Sequence, residues 1–447
     1  MEFIPLSTTY VTILFVGLSF WCVVLKVRKW LQAEKSSSKW LNALQFRYFL
    51  CYYTFMAGLT FQGPYVYQRY LDSGITQEQI SIVMSTFNIV SSIWGFAVGY
   101  FTEILGHKKL IIISALVLSM HATLRFMGGF WCFVLSSALM GVSTASNRVV
   151  FEDWLMTVLQ NPEAPDYAQA TIQENSALIR LFSTLVFTPL SARLTHHFGS
   201  ASAFAVSSLM FFTSSVIISI YLDDPRLLEK NEKDDDRNSN TSKKKKIGYV
   251  NALKSIFQNL RSSPELSILL ITDFASSVFT LLYSPRWLAI HQITKKDKLP
   301  LSQMSTTNSV ALTNGAQIIG ALFHLFSSPR PMFFISFLLS LIFVSMILLF
   351  YSNKNLVFTV FILVAVCDGG NQTIFRMLRG NIYPRDVRGY ILGFLRVPAS
   401  LSVSLLLMAV KGKDVRYIIS LCCGFLSLCV ISSFLLYRRE KKESQKQ

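Results

Sequence analysis

Residues Gly99 to Lys109 read Gly-Tyr-Phe-Thr-Glu-Ile-Leu-Gly-His-Lys-Lys and separate two long apolar runs. Each residue type suits a short connection between two helices at a membrane surface. Gly99 permits close helix approach, Gly106 permits a tight turn, and Glu103 can pair with a cationic or helix-terminal partner. Lys108 and Lys109 favour the cytosolic side, where basic residues accumulate. We therefore predict that Gly99, Glu103, Gly106 and Lys108 belong to a gate at the cytosolic face.

The composition of the whole chain indicates a protein whose solvent is largely lipid. Of 447 residues, 52% are apolar and only 15% are charged, and the mean hydropathy is +0.43. Ordinary soluble domains carry roughly a quarter charged residues, so a soluble globular protein is excluded. The seven cysteines are odd in number and lack CxxC spacing. They predict no disulfide framework, no metal site and no cofactor.

Apolar runs long enough to cross a bilayer, about 20 residues each, recur along the chain. The first run is followed by basic residues but not preceded by any, which indicates a retained signal-anchor helix. The longest polar interruption, 223–263, has seven runs before it and six after it. The thirteen runs are 3–25, 46–66, 79–102, 109–128, 131–159, 169–194, 198–222, 265–290, 303–326, 331–351, 355–378, 387–410 and 416–437.

The predicted fold class is therefore an all-α membrane protein with two six-helix bundles and one extra amino-terminal helix. The linker between the bundles is too charged to bury a core and is expected to be largely disordered, with an amphipathic piece at 250–260 on the membrane. Its tetralysine, Lys243–Lys246, could bind anionic lipid, mark an address or be a plain linker. The predicted parts are 1–30 (extra helix), 40–222 (first bundle), 223–263 (linker), 264–438 (second bundle) and 439–447 (tail).

The distribution of lysine and arginine predicts the orientation. If the amino terminus lies outside, the inside loops and tail hold 27 basic residues and the outside loops hold 9. This bias places the amino terminus outside and the carboxyl terminus in the cytosol. The net charge of +17 is thereby explained as a topology signal, without a nucleic-acid partner. Neither terminus names an organelle, so the plasma membrane is the default location, and a monomer is expected.

The stretch from Gly99 resembles the major facilitator signature between the second and third core helices, Gly-x-x-x-acid-x-x-Gly-basic-basic, with His107 where arginine is usual. Nearly the whole chain resembles one branch, the molybdate-anion transporter family. That resemblance implies two halves that rock about a central cavity and molybdate as the substrate. The matching residues are the extra helix, Gln62–Tyr67, Gly141–Ala145, Phe151–Trp154, Leu378–Arg379 with Pro384, and Phe394–Pro398.

Charged residues inside the spans are the candidate site. An arginine at a helix centre costs about 2.5 to 3.5 kcal/mol on insertion scales, so these side chains must face protein or water. Guanidinium groups match the oxygens of an oxyanion. The alternative is that these residues form interhelical salt bridges that hold the halves closed. Arg125 and Arg286 lie near the external surface and are expected to be structural. The predicted substrate-binding residues are Arg148, Glu152, Arg180, Arg376 and Arg396.

Two of these residues, Glu152 and Arg396, lie in the family motifs. Arg379, also matched, lies near the cytosolic end and is expected to belong to the inner gate. Arg148, Arg180, Asp368 and Arg376 do not match the family pattern. This departure allows a different anion, or a larger organic one.

The sequence gives fewer indications of whether transport is coupled to proton movement. A carboxylate in a low-dielectric cavity has its ionisation disfavoured and can bind a proton. The candidates are Glu152, Asp273 and Asp368. For Asp273 the alternative is a carboxylate capped by the hydroxyls of Thr272 or Ser276. Uniport and exchange also remain open.

The predicted function is secondary active or facilitative transport of an inorganic, molybdate-like oxyanion by alternating access. The expected partners are this small anion and the lipid bilayer. The alternatives are a non-transporting membrane sensor or scaffold that keeps the fold, or a transporter of an organic anion. An enzyme is not expected, because the sequence has no phosphate-binding glycine loop, and none of its serines is flanked as in a nucleophile elbow.

Overall fold

The computed structural model describes residues 39–159, 168–223, 249–296, 315–317, 319–320, 331–351, 356–383, 388–409 and 415–444. The predicted extra helix at 1–30, the charged part of the linker, and most of the predicted span 303–326 lie outside these residues. Every element within the described ranges is helical.

The first half contains six long helices. The helix α1 is continued by a 3-10 turn at Gly63–Tyr65 and the short helix α2, so the predicted first core span at 46–66 is longer than its apolar run. Pro64 at the start of that turn lacks a backbone N–H, which is why the α-helix tightens there. The helices are α1 Lys39–Gln62, α2 Val66–Asp72, α3 Gln77–Leu105, α4 His107–Met127, α5 Phe130–Val158, α6 Ala168–Phe198 and α7 Ala201–Tyr221.

The second half begins with a short helix, α8, that coincides with the predicted amphipathic piece. Several helices extend beyond their apolar runs, because polar residues at a helix end can continue the backbone hydrogen bonding outside the hydrocarbon. The helices are α8 Tyr249–Ser262, α9 Pro264–Lys296, α10 Pro331–Tyr351, α11 Leu356–Ile382, α12 Arg388–Ala409 and α13 Val415–Ser444.

Each half packs around its own apolar core. In the first half, α1 contacts α6 and α7, while α4 contacts α5 and α7. In the second half, α13 contacts α9 and α10, and α10 contacts α11. The halves meet where α12 packs on α3 and α5, and where α11 packs on α6. These contacts between halves frame the candidate pathway.

Four described helices are long and apolar enough to cross a membrane by length and composition alone. They are Glu78–Leu105, His107–Met127, Ala201–Tyr221 and Ser420–Arg439. Large apolar side chains lie exposed on the outside of the bundle, among them Ile93, Leu209 and Leu405. A bilayer solvates such a surface, whereas monomeric proteins in water rarely expose contiguous apolar patches of this kind.

Candidate transport pathway

The chain connecting α3 to α4 defines one end of the bundle, here called the Gly106 end. Gly106 ends α3 and begins α4 with φ 87°, a left-handed conformation that favours glycine. The tight turn expected from the sequence is therefore confirmed. The ends of α5 and α11 and the starts of α9 and α12 lie at the same end of the bundle, as the contacts below show.

An ion pair closes the Gly106 end of α9 and α11. Arg379 Nη2 donates to Asp273 Oδ1 at 2.5 Å, and the Tyr383 hydroxyl donates to Asp273 Oδ2 at 3.0 Å. The Asp273 side chain is only 5% exposed, so both of its oxygens have a partner within the protein. Glu152, on α5 of the other half, adds an attractive electrostatic interaction with Arg379.

The hydroxyl that bonds to Asp273 belongs to Tyr383, not to Thr272 as one alternative expected. The Thr272 hydroxyl is directed towards α13, where it bonds to Ser432 Oγ at 2.8 Å. Asp273 instead projects between α9 and α11, because adjacent helix positions differ by about 100° in direction. Tyr383 follows α11 directly and was not among the predicted site residues, because no charge or motif distinguishes this tyrosine from the other sixteen.

Glycines let α3 and α12 approach each other across the two halves. A Cβ at Gly95 would meet the Gly393 carbonyl oxygen at 3.0 Å, and a Cβ at Gly99 would meet the Tyr390 ring at 2.9 Å. One residue further along each helix, the rings of Phe96 and Phe394 lie 6.1 Å apart. These close contacts at Gly95, Gly99 and Gly393, here called the glycine seam, close the interface between the halves.

Within the 99–109 stretch, His107 forms the contact with a carboxylate, whereas the sequence predicted a cationic or helix-terminal partner for Glu103. The Nε2 atom of His107 lies 3.0 Å from Asp153 Oδ2 on α5, so the residue at the usual arginine position retains a carboxylate partner. Glu103 makes no ion pair or hydrogen bond with any residue that the structure describes. Asp153 was not singled out as a site residue, although it directly follows Glu152 in the Phe-Glu-x-Trp element.

Asp368 lies in the middle of α11 and accepts two amide hydrogen bonds. Gln317 Nε2 donates to Asp368 Oδ2 at 3.1 Å, and Gln372 Nε2 donates to the same oxygen at 2.8 Å. Asp368 Oδ2 therefore already has two amide partners within the second half.

The four arginines of the predicted substrate set lie on α5, α6, α11 and α12, and the structure does not describe their side chains. Their helix positions are nevertheless informative. At 1.5 Å per residue, they stand roughly 9 to 18 Å from the Gly106 end of their helices. We call Arg148, Arg180, Arg376 and Arg396 the arginine band.

Arg125, expected to be structural, lies at the opposite end of the first bundle. Its side chain bonds to Ser136 and Tyr70 and does not approach the arginine band. The companion expectation for Arg286 concerns a side chain outside the described part of the chain.

Comparison with known proteins identifies the family. The sequence profile of the Major Facilitator Superfamily matches residues 48–407, which is most of the chain. The chain belongs to the major facilitator superfamily. It is accordingly a multi-pass membrane transporter that works by alternating access, and its family and fold are those of transporters rather than enzymes.

Solved structures of major facilitator proteins share this fold. A Major Facilitator Superfamily transporter, FucP, in the outward conformation is 11% identical with a TM-score of 0.62, over 87% of this chain and 97% of that one. A bacterial homologue of the iron transporter ferroportin in an outward-facing state is 13% identical with a TM-score of 0.66, over 88% and 98%. No curated protein matches the sequence. These similarities establish the fold but not the substrate, which has to be inferred from the residues of the pathway.

Proposed function

We propose that this major facilitator protein carries a small inorganic oxyanion, with molybdate as the first candidate. The arginine band is the observation that carries the proposal. Counted along its own helix from the terminus at the Gly106 end, Arg376 stands about 9 Å in, Arg396 about 12 Å, Arg148 about 15 Å and Arg180 about 18 Å. Each therefore lies in the half of its helix that is nearer to the Gly106 end.

The distribution of the band over the two halves supports a shared site. Arg148 is on α5 and Arg396 is on α12, and these two helices contact each other across the halves. Arg180 is on α6 and Arg376 is on α11, which form the second such contact. A substrate bound at this level would meet basic residues from both halves, which is the arrangement that alternating access requires.

Electrostatics favours an anion over a neutral or cationic substrate. Two carboxylates of this region are committed: Asp273 to Arg379 and Tyr383, and Asp153 to His107. Three carboxylates, Glu152, Glu174 and Asp368, remain in the same spans as the four arginines of the band. The excess of positive charge is costly in hydrocarbon but favourable for a tetrahedral oxyanion, whose oxygens match the planar donors of guanidinium.

The gate proposed for this site consists of the Arg379–Asp273–Tyr383 cluster beside Glu152 and of the glycine seam. Opening would require α3 and α12 to separate, which exposes the band on that side. Glu152, Asp273 and Asp368 remain candidates for proton coupling. We further propose a monomer in the plasma membrane with the Gly106 end in the cytosol.

Uptake of labelled molybdate and sulfate into proteoliposomes tests the proposal. We expect Arg396→Ala to lower molybdate uptake at least tenfold, about 1.4 kcal/mol. Arg193→Ala is the matched control, because Arg193 is an exposed arginine at the end of α6. Equal uptake by the wild type and Arg396→Ala, or no uptake of either anion by the wild type, would contradict it.

An organic anion is the second candidate, because Arg148, Arg180, Asp368 and Arg376 do not match the molybdate family's pattern. Competition distinguishes the two. Unlabelled dicarboxylates should leave molybdate uptake unchanged if the band fits an inorganic oxyanion, and should inhibit it if the band fits an organic one. A sensor or scaffold would transport neither class of anion.

A further inference from the structure

Four aromatic side chains form a cluster on the outside of the second bundle, where the start of α10 meets the end of α13. The Phe333 ring lies 5.6 Å from the Tyr437 ring and 6.5 Å from the Phe337 ring. Tyr437 lies 6.2 Å from Phe434. Phe333, Phe337 and Phe434 are 43%, 52% and 47% exposed. This aromatic cluster therefore belongs to the surface of the bundle rather than to its core.

Contacts between α9 and α13 show how close this cluster lies to the Gly106 end. The Thr272 hydroxyl of α9 bonds to Ser432 Oγ of α13 at 2.8 Å. Phe274, further along α9, contacts Phe425, earlier on α13, with ring centres 6.5 Å apart, so the two helices run antiparallel. Arg438 follows Ser432 by six residues and stands about 9 Å nearer to the Gly106 end. It is therefore level with the first turn of α9.

The outer face of α13 changes from apolar to basic at this level. Ile431, Phe434 and Leu435 are exposed apolar residues, and the exposed residues that follow are Arg438 and Arg439. Residues four apart share a helix face, so Arg438 lies beyond Phe434 and Arg439 beyond Leu435. Hydrocarbon solvates the apolar part of such a face, while arginine extends its charged group towards the membrane surface. The two guanidinium groups are therefore expected at the level of the lipid headgroups.

Neither arginine has a carboxylate partner among the residues that the structure describes. The guanidinium carbon of Arg438 lies 5.0 Å from the centre of the Phe434 ring. This contact uses the face of the ring, and neither Arg438 nor Arg439 donates a hydrogen bond to any described residue. The sequence adds more positive than negative charge at the same helix ends, with Arg330, Lys441 and Lys442 against Glu440 and Glu443.

An anionic phospholipid has the two properties that this surface requires. Its phosphate oxygens accept hydrogen bonds from the planar donors of guanidinium, and its acyl chains can cover exposed aromatic rings. A zwitterionic lipid also carries a phosphate, but it supplies no net negative charge for two adjacent cations. In the proposed orientation the Gly106 end faces the cytosolic leaflet, where anionic lipids attract basic segments.

We propose that the surface where α10 and α13 meet binds one anionic phospholipid. Arg438 and Arg439 hold its phosphate, and the aromatic cluster packs against its acyl chains. The bound lipid ties the start of α10 to the end of α13 and so stabilises the second bundle. The arginine band lies on other helices, α5, α6, α11 and α12, so this site does not rest on the proposed substrate.

Thermal unfolding of the purified full-length protein in detergent, titrated with phosphatidylglycerol, tests the site. We expect the wild-type Tm to rise by at least about 2 °C. Arg438→Gln should raise the lipid concentration that gives half of this rise about fivefold, and additional loss of Arg439 should raise it further. Lys109→Gln is the matched control, because Lys109 is an exposed basic residue at the same end of the bundle, on α4. Its half-rise concentration should stay within about twofold of the wild type.

Two comparisons identify the ligand as an anionic lipid. Phosphatidylcholine should require at least about fivefold more lipid for the same rise, and glycerol 3-phosphate, which has no acyl chains, should give no rise. Equal half-rise concentrations for the wild type and the double arginine variant would overturn the site, as would an equal effect of Lys109→Gln and Arg438→Gln. An equal response to phosphatidylcholine, or a full response to glycerol 3-phosphate, would also overturn it.

Discussion

Gly393 on α12 lies so close to Gly95 on α3 that a Cβ on Gly393 would stand 2.4 Å from the Gly95 carbonyl oxygen. Real Cβ atoms essentially never approach an atom that closely, and backbone cannot move aside as a flexible side chain can. The two halves of the transporter therefore meet here through backbone contact. Any side chain larger than hydrogen at Gly393 must push α12 away from α3.

The glycine seam predicts a conformational mutant. We expect Gly393→Val to disfavour the state sealed at the Gly106 end and to reduce substrate uptake about tenfold or more. The measurement is the distance between spin labels placed on α3 and α12 near the Gly106 end, which should increase in the variant.

Gly424→Val on α13 is the matched control, because a Cβ at this glycine meets no atom within 4 Å. Its label distances and uptake should remain close to those of the wild type. Unchanged label distances in Gly393→Val would show that the seam does not depend on the glycine contact.

Removing one charge of the buried Asp273–Arg379 pair should cost much more stability than removing both charges. Asp273→Asn leaves the Arg379 cation without its carboxylate and should lower the free energy of unfolding by about 3 to 5 kcal/mol. The double variant Asp273→Asn, Arg379→Leu removes both charges and should recover most of that loss. Denaturant unfolding of the purified protein measures both.

Arg47→Ala provides the control for this cycle. Arg47 pairs with Asp223 at a site where their side chains are 49% and 58% exposed, so its loss should cost less than about 1 kcal/mol. If the double variant is as unstable as Asp273→Asn, the ion pair does not account for the stability of this cluster.

Removing the Tyr383 hydroxyl tests the same Arg379–Asp273–Tyr383 cluster with a smaller change. Its hydroxyl donates to Asp273 from a buried position, so Tyr383→Phe removes one hydrogen bond to a charged group. We expect a loss of roughly 1.5 to 3 kcal/mol in the free energy of unfolding. Tyr100→Phe, a half-exposed tyrosine on α3, should be near neutral in the same denaturation experiment.

The helices could be predicted from the sequence because a chain that crosses a membrane has few ways to pair its backbone groups. Backbone groups in hydrocarbon must be paired within the chain, so long apolar runs predict helices even where they contain charge. The helix α6 is the clearest case, since it runs from Ala168 to Phe198 despite Glu174, Arg180 and Pro189.

The side-chain partners were less predictable, because they depend on rotation about the helix axis and on contacts far apart in sequence. Asp273 and Arg379 are 106 residues apart, and no local pattern joins them. The ion pair of His107 was similarly hidden, since Asp153 stands beside the more conspicuous Glu152. The burial of Arg125 was hidden in the same way, because its partners Tyr70 and Ser136 lie 55 and 11 residues away in the sequence.

Equilibrium binding of labelled molybdate to the purified protein tests the central proposal, the arginine band, most directly. The account predicts saturable binding by the wild type, a Kd raised at least about tenfold in both Arg396→Ala and Arg148→Ala, and an unchanged Kd in Arg193→Ala. Equal affinity in the wild type and both band variants would contradict it.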